Sequence, residues 1–403
     1  MKRVSFVTFG CKVSQYESQA LREAVAARGY EVVDGEADLY VINTCTVTET
    51  AAKEAERTVR RLKRRNPAAE FAVTGCAADS HREKFLGLPG VRRVVTHDEK
   101  SALPLLLDDP RLTADDLKPS IFDLRVSRFD GHTRAFLKVQ DGCDLNCSFC
   151  IIPQVRGPNV ARPLDECVEE AGRLAANGYR EIVITGVHTG SFHEMPALVE
   201  RMLALPGLAR VRLSSIEVNE IADPLLDLMA ANPGRFCPHF HLPLQSGDDG
   251  VLRAMRRRYN STQFRRAIDR IRAKIQDPGL TTDVIVGFPT EDDAAFERTV
   301  AFCREAGFSR IHIFPYSRRS GTDAALMPDL PDGVKKERLH ALEAVAAELM
   351  QAFALRFVGR DVDVLVEDEG RGYTERYLQA RVEAPPNTLA RLRPSRAENG
   401  VLS

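Results

Sequence analysis

The chain has no tryptophan, only 7% aromatic residues and almost no net charge: 56 Lys and Arg stand against 57 Asp and Glu, giving −1 at pH 7. Near-neutrality removes overall basicity as an argument for a nucleic-acid partner, which would have to be met by local patches. No apolar run approaches the ~20 residues that cross a bilayer. The N-terminal Met1-Lys-Arg-Val-Ser-Phe-Val-Thr-Phe-Gly10 has an apolar stretch of about five residues, too short for a secretory leader, and it fits a β-strand. A cytoplasmic protein without membrane or DNA partners is expected. An even set of cysteines is also missing. There are nine, which with no leader argues against a disulfide framework and for metal or catalytic use. With 403 residues, 44% of them hydrophobic and 28% charged, the chain is a globular one of more than one domain.

What is present alternates strand and helix. Arg3 to Thr8, Ala37 to Asn43, Glu70 to Thr74 and Val91 to Val95 read as strands, with helical patterns over Ser14 to Arg28 and Glu49 to Arg65. This is the signature of a doubly wound parallel sheet. Residues 114–133 are polar and poorly periodic and read as a linker. A second series follows, with strands expected at Phe136–Val139, Glu181–Thr185, Arg210–Ser214, His239–Pro243, Thr282–Val286 and Arg310–Phe314. Helices are expected between them, among them Leu164–Asn177, Pro196–Leu205 and Thr290–Ala306. Six strand–helix units suit a partial (β/α)6 barrel over 134–340. Lys335 to Phe357 reads as an amphipathic helix, and the last ~45 residues, VDVLVEDEG onward, as a small C-terminal β module. The expected division is 1–113, the linker, 134–340, and 341–403.

Gly142-Cys143-Asp-Leu-Asn-Cys147-Ser-Phe-Cys150 sets three cysteines just after the first strand of the second series. Soft thiolates at this spacing suit an iron–sulfur cluster. Zinc normally wants a fourth closing ligand, and the nearest histidine, His132, lies before the strand. Three ligands leave one iron open to a cofactor. CxxxCxxC at this place resembles the radical S-adenosylmethionine superfamily. The resemblance implies a [4Fe-4S] cluster on Cys143, Cys147 and Cys150 that binds S-adenosylmethionine and yields a 5′-deoxyadenosyl radical, with Phe149 near the adenine.

Cys11, Cys45 and Cys76, in the contexts FGC, NTC and TGC, each follow an expected parallel strand. Carboxyl ends of neighbouring parallel strands face one crevice, so the three converge. This arrangement resembles the N-terminal domain of methylthiotransferases, which implies a second [4Fe-4S] cluster that handles sulfur. Further segments match that family: Thr185-Gly-Val-His-Thr-Gly190, Leu213-Ser-Ser-Ile-Glu217, His241-Leu-Pro-Leu-Gln-Ser-Gly247, Thr282-Asp-Val-Ile-Val-Gly-Phe-Pro289 and Phe314-Pro-Tyr-Ser317. Gly186, Gly247 and Gly287 would let backbone approach a ligand. Thr185, Ser215, Glu217 and Gln245 could hold the cofactor's amino group, carboxylate or ribose. His241 reads as a satisfied rim histidine, and Cys167, Cys237 and Cys303 as ordinary buried thiols.

Methylthiotransferases divide by substrate: isopentenyl-adenosine in tRNA, threonylcarbamoyl-adenosine in tRNA, or an aspartate of a ribosomal protein. Ile151-Ile-Pro-Gln-Val-Arg156-Gly157 and Gly372-Tyr-Thr-Glu-Arg-Tyr377 resemble the threonylcarbamoyl-adenosine branch. Two departures are Pro158-Asn-Val-Ala-Arg162, where an arginine-rich run is usual, and a terminal module short for an RNA-binding TRAM domain. The branch implies the tRNA anticodon stem-loop as partner, together with an electron donor such as flavodoxin or ferredoxin. Arg57, Arg60, Arg61, Lys63, Arg64 and Arg65 form one basic group, and Arg253, Arg256, Arg257 and Arg258 another, with Tyr259 placed to stack on a base. The first group also suits a helix end, where cations belong. A rival from another class is a non-catalytic RNA-binding protein with structural clusters. Such clusters need a fourth protein ligand, and both sets offer three.

Overall fold

The computed structural model describes all residues except 47, 48, 110 and 369. It divides into two compact units: Met1–Asp130 with Gln140–Leu145 and Cys150–Arg162, and Gly131–Val139 with Asn146–Phe149 and Pro163–Ser403.

The first unit is built on a parallel sheet of β1 (Arg3–Thr8), β2 (Glu31–Val32), β3 (Leu39–Thr44), β4 (Glu70–Gly75) and β5 (Val91–Val94), in the order β2-β1-β3-β4-β5. Successive side chains of a strand point to opposite faces, and β3 is buried on both. Ile42 joins Phe71, Val73 and the Ala52, Ala55 and Val59 stripe of helix α2 (Glu49–Arg65). Val41 joins Val4, Ala72 and the Leu21 and Val25 stripe of helix α1 (Lys12–Ala27). The two helices therefore cover opposite faces, the doubly wound arrangement expected. The polar stretch after residue 113 begins with a one-turn helix, Ala114–Leu117, capped reciprocally by Thr113 and Asp116.

The second unit carries six parallel strands: Arg134–Lys138, Glu181–Thr185, Arg210–Leu213, His239–His241, Gly279–Val286 and Arg310–Pro315. They bond as two runs of three, joined by single bridges at Val211–Phe236 and Ser215–His241. Helices alternate with them in the manner of a partial barrel. Local chemistry sets their ends. The helix expected from Thr290 starts at Asp293, because the Asp292 carboxylate accepts the Ala295 N–H at 2.7 Å and Gly307 ends it in the left-handed region. Asn260 and Gln263 form a capping box on Ser261–Lys274, which buries Phe264, Ala267, Ile268 and Ile271. The long helix spans Asp332–Leu355. Beyond it lies the β module, a six-stranded sheet in the order Leu389–Leu392, Val362–Asp368, Arg371–Thr374, Gln379–Arg381, Val401–Leu402 and Ala397–Glu398. The expected VDVLVEDEG strand is observed to Asp368, and its residue 369 lies outside the described residues.

The β module is fastened through one buried carboxylate. Glu181 is fully buried and accepts bonds from Arg210 and Arg212, both 2% exposed. Those guanidinium groups also donate to the carbonyls of Asp363, Tyr373, Thr374 and Glu375. Tyr373 and Tyr377 stack with centroids 4.8 Å apart, and Arg134 lies over both rings. Burial alone would push the Glu181 carboxyl up. The surrounding Arg210, Arg212 and Arg134 outweigh it and hold the group well below the ordinary carboxylate range. The Gly372–Tyr377 segment is thus an internal fastening within this unit.

Candidate functional site

In the first unit, Cys11, Cys45 and Cys76 stand at the carboxyl ends of β1, β3 and β4. β3 pairs Thr44 with Gly75 of β4 and Asn43 with Thr8 of β1. Cys45 and Cys76 therefore leave adjacent strands at the same level, about one strand spacing of ~4.8 Å apart. Gly10 has φ +113°, and a Cβ there would lie 3.0 Å from the Cys45 sulfur, so the turn bearing Cys11 rests on Cys45. Cys45 and Cys76 are buried and Cys11 is exposed. The topology brings together the strand ends that carry all three expected residues.

Behind Cys76 lies a group of side chains of which the sequence marks only Arg156, and that as part of a substrate-branch segment. Arg156, on the short helix Ile152–Arg156, donates from Nε to the Cys76 sulfur at 3.1 Å. Its Nη1 donates to Glu17 at 3.0 Å and to Asp141 at 2.9 Å. Lys100 also bonds Glu17, and His97 Nε2 is 3.2 Å from Asp141. All of these groups are buried. Burial pushes His97 down, toward its neutral form, and pushes the Cys76 thiol up against the pull of Arg156. Glu17, His97 and Asp141 offer atoms within 4.8 Å of one another, a cation-site spacing. Lys100 and Arg156 already sit on the two carboxylates, so the group is a closed ion network.

The loop carrying Cys143, Cys147 and Cys150 is closed at its base. Gln140–Asp141 pairs antiparallel with Val160–Ala161, and the Cys143 N–H donates to the Gly157 carbonyl. Gly142 has φ +68°, and a Cβ there would fall 1.8 Å from the Pro158 carbonyl oxygen, so no other residue fits. The Leu145 N–H lies 3.4 Å from the Cys143 sulfur.

In the second unit the Cys147 sulfur accepts from Arg257 Nη1 at 3.1 Å. Arg257 also grips both oxygens of Glu217 and donates from Nε to the Tyr259 hydroxyl at 3.0 Å. Burial raises Glu217, opposed by Arg257. Arg257 is therefore no part of a solvent-facing basic patch. Tyr259 is 4% exposed, with its hydroxyl on the Pro243 and Leu244 carbonyls, and it is not available to stack on a base. The expectation failed because Glu217, the partner that makes a buried cation tolerable, is distant in sequence. Phe149 packs edge-on against Phe288 in a cluster with Met255 and Tyr316, and remains partly exposed.

Thr185 is buried at its strand end, Gly186 is half-buried and Ser215 is exposed. Gln245 is half-buried in the left-handed region (φ 65°), with its N–H bonded to Asp283 and its carbonyl to Ile285. Such strain in a non-glycine residue tends to cluster at functional sites. What approaches Gly287 is Lys335, whose Cγ would be 2.5 Å from a Cβ there; Gly247 likewise admits Thr299 and Phe302. Both glycines make room for protein neighbours. His241 is satisfied by Thr281 at 3.0 Å and Asp283 at 3.1 Å, and Cys167, Cys237 and Cys303 are buried.

The donor sets fit iron–sulfur ligation. Each set offers three thiols, and in each a guanidinium N–H already points at one sulfur, the contact a thiolate ligand takes from its surroundings. A parallel sheet with strand-end cysteines and a partial barrel entered through CxxxCxxC define the class, a radical S-adenosylmethionine protein. Residues 137–303 match the model of the Radical SAM superfamily, and residues 3–96 that of Uncharacterized protein family UPF0004. The fold is shared with the radical S-adenosylmethionine methyltransferase TsrM of Kitasatospora setae, at a TM-score of 0.62, 16% identity, and coverage of 81% of this chain and 77% of that one. Sequence relatives are closer. The threonylcarbamoyladenosine tRNA methylthiotransferase MtaB of Rickettsia prowazekii is 36% identical, over 94% of this chain and 91% of its own. The tRNA-2-methylthio-N(6)-dimethylallyladenosine synthase of Cereibacter sphaeroides (strain ATCC 17029) is also 36% identical, over 92% of this chain and 88% of its own. The chain belongs to the radical S-adenosylmethionine methylthiotransferase family, an enzyme family whose membership implies S-adenosylmethionine and a [4Fe-4S] cluster. Among the described residues, no helix is long and apolar enough to cross a membrane.

Proposed function

We propose that this enzyme methylthiolates C2 of threonylcarbamoyl-adenosine beside the anticodon of tRNA, in the cytoplasm, using two [4Fe-4S] clusters. The observation that carries the two-cluster reading is the convergence of the strand ends bearing Cys11, Cys45 and Cys76, a second set of three thiols beside that of the CxxxCxxC loop. Cys143, Cys147 and Cys150 hold the radical-generating cluster, and Cys11, Cys45 and Cys76 the sulfur-handling one. When bound, the first cluster would pass one electron from a flavodoxin or ferredoxin to S-adenosylmethionine, giving methionine and a 5′-deoxyadenosyl radical; the second would supply the sulfur for the new C–S bond, and a second S-adenosylmethionine the methyl group.

The chain's own residues orient and shield. Arg257 fixes the Cys147 sulfur and holds both oxygens of Glu217, which would meet the amino group of S-adenosylmethionine with the lone pairs that Arg257 leaves. Phe149 offers its partly exposed ring to the adenine, and Thr185, Gly186, Ser215 and Gln245 supply polar or close-approach contacts. Gly287 contributes indirectly, by seating Lys335.

The threonylcarbamoyl substrate rests on the MtaB relatives and on the resemblance of the Ile151–Gly157 and Gly372–Tyr377 segments to that branch, a resemblance of sequence, since Arg156 and Tyr373–Glu375 are engaged inside the protein. The equal identity of a dimethylallyladenosine enzyme favours a second reading, isopentenyl-adenosine. A nucleoside digest of tRNA from a deletion strain decides. Unmethylthiolated threonylcarbamoyl-adenosine should accumulate; accumulation of the isopentenyl nucleoside instead moves the assignment to the second reading, and no change in either removes both. Anaerobic reconstitution should load about eight irons per chain, and a value near four would remove the second cluster.

A further inference from the structure

Arg156 links two parts of the first unit that are far apart in sequence. Its Nε donates to the Cys76 sulfur, and its Nη groups bond Glu17 of α1 and Asp141 of the strand that leads into Cys143. Its carrier helix follows Cys150 directly, and Ile151 and Val155 pack on Cys76. Nε, Nη1 and Nη2 are each engaged. A buried Arg held by two carboxylates has little freedom to rotate, and its planar fork keeps its donors at fixed angles. Lys100 bonds Glu17, and His97 Nε2 stands 3.2 Å from Asp141.

We propose that Arg156 is a positioning residue for the sulfur-handling cluster. It holds the Cys76 thiolate by a charge-assisted hydrogen bond and ties that ligand to the strand and helix that flank the radical-cluster cysteines Cys143 and Cys150. This rests on the two-cluster reading above. The chemistry follows from the contact. A cationic N–H on a cluster sulfur stabilises the more negative, reduced state, and hydrogen bonds to sulfur are among the terms that set cluster potentials. Removing the donor lowers the midpoint. The segment Arg156-Gly157, which sequence alone offers as a substrate-branch mark, thereby has a role inside the protein.

The test isolates the second site in a full-length background with Cys143, Cys147 and Cys150 replaced by alanine, reconstituted anaerobically with iron and sulfide. That background should hold about four irons per chain. If it holds none, the two-cluster reading has failed, and the failure is visible before any change at residue 156. In the same background, Arg156→Met with Glu17→Gln removes one charge of each sign. The doubly changed protein should keep its iron but shift the oxidised-to-reduced ratio at fixed potential at least tenfold toward the oxidised form, which is 59 mV for a one-electron couple. The electron paramagnetic resonance line shape of the reduced cluster should change with it. Glu17→Gln alone should not reproduce the shift, and Arg156→Lys should recover part of it. Iron retained with a ratio altered less than twofold overturns the proposal. Should the double variant fail to fold, Arg156→Lys alone decides: a shift of more than twofold in the same direction supports it, and a smaller one overturns it.

Discussion

Replacing Glu181 by glutamine keeps the shape of the side chain and removes one negative charge from a site with no water access. Glu181 is fully buried, and its partners Arg210 and Arg212 are 2% exposed, so the change leaves two guanidinium groups facing a neutral amide. Breaking a buried ion pair by removing one partner costs about 3–5 kcal/mol, most of it the penalty of the uncompensated charge. For a unit of this size that corresponds to a fall in melting temperature on the order of 10 °C. The loss should begin locally, because the same guanidinium groups hold the carbonyls of Tyr373, Thr374 and Glu375. Chemical denaturation read by far-UV circular dichroism gives the magnitude, and hydrogen exchange of amides 371–376 gives the place. A cost below about 1 kcal/mol, the value of an exposed pair, with unchanged exchange in 371–376, would refute the argument that Glu181 fastens the β module.

The same carboxylate gives a pH prediction. Its folded pKa is depressed, so its stabilisation is present above the ordinary carboxylate pKa of about 4.3 and is lost as pH falls through the folded value. The stability gap between the native protein and Glu181→Gln should thus be full at pH 6 and shrink in acid; a gap that grows as pH falls contradicts the sign. Tyr259→Phe removes a buried hydroxyl from Arg257 and from the Pro243 and Leu244 carbonyls, and should cost about 1–3 kcal/mol in the same unfolding assay. In iron-free native protein at pH 8, alkylation followed by mass spectrometry should mark the exposed Cys11 first. Cys237 and Cys303, which burial pushes up to about 11 and about 12, should stay unmodified until unfolding; early labelling of either would contradict their packing.

Much of this was legible along the chain because the signals are local or periodic. Cys143, Cys147 and Cys150 lie within eight residues, and their loop needs no distant partner to be recognised. Cys11, Cys45 and Cys76 are far apart, yet strand–helix alternation implies a parallel sheet, and a parallel sheet places equivalent strand ends side by side. Element boundaries moved where a capping side chain took over, as Asp292 does for the helix at Asp293–Ala306.

Residue identity and periodicity by themselves marked the two strand–helix series, the terminal strands and the two cysteine sets, because each depends on the spacing of apolar residues or thiols along one chain; that Gln140–Leu145 and Cys150–Arg162 join the first compact unit was not legible there. Tertiary structure alone decided which polar groups lie against those cysteines. Arg156, Glu17, Lys100 and Asp141 come from separate segments, and a charge reads as solvent-facing until its buried partner is seen. Arg257 and Tyr259 sat in an arginine run that looked like an RNA patch. Folding turned them inward onto Glu217 and Cys147, because a buried cation persists only where a carboxylate and further hydrogen bonds meet it.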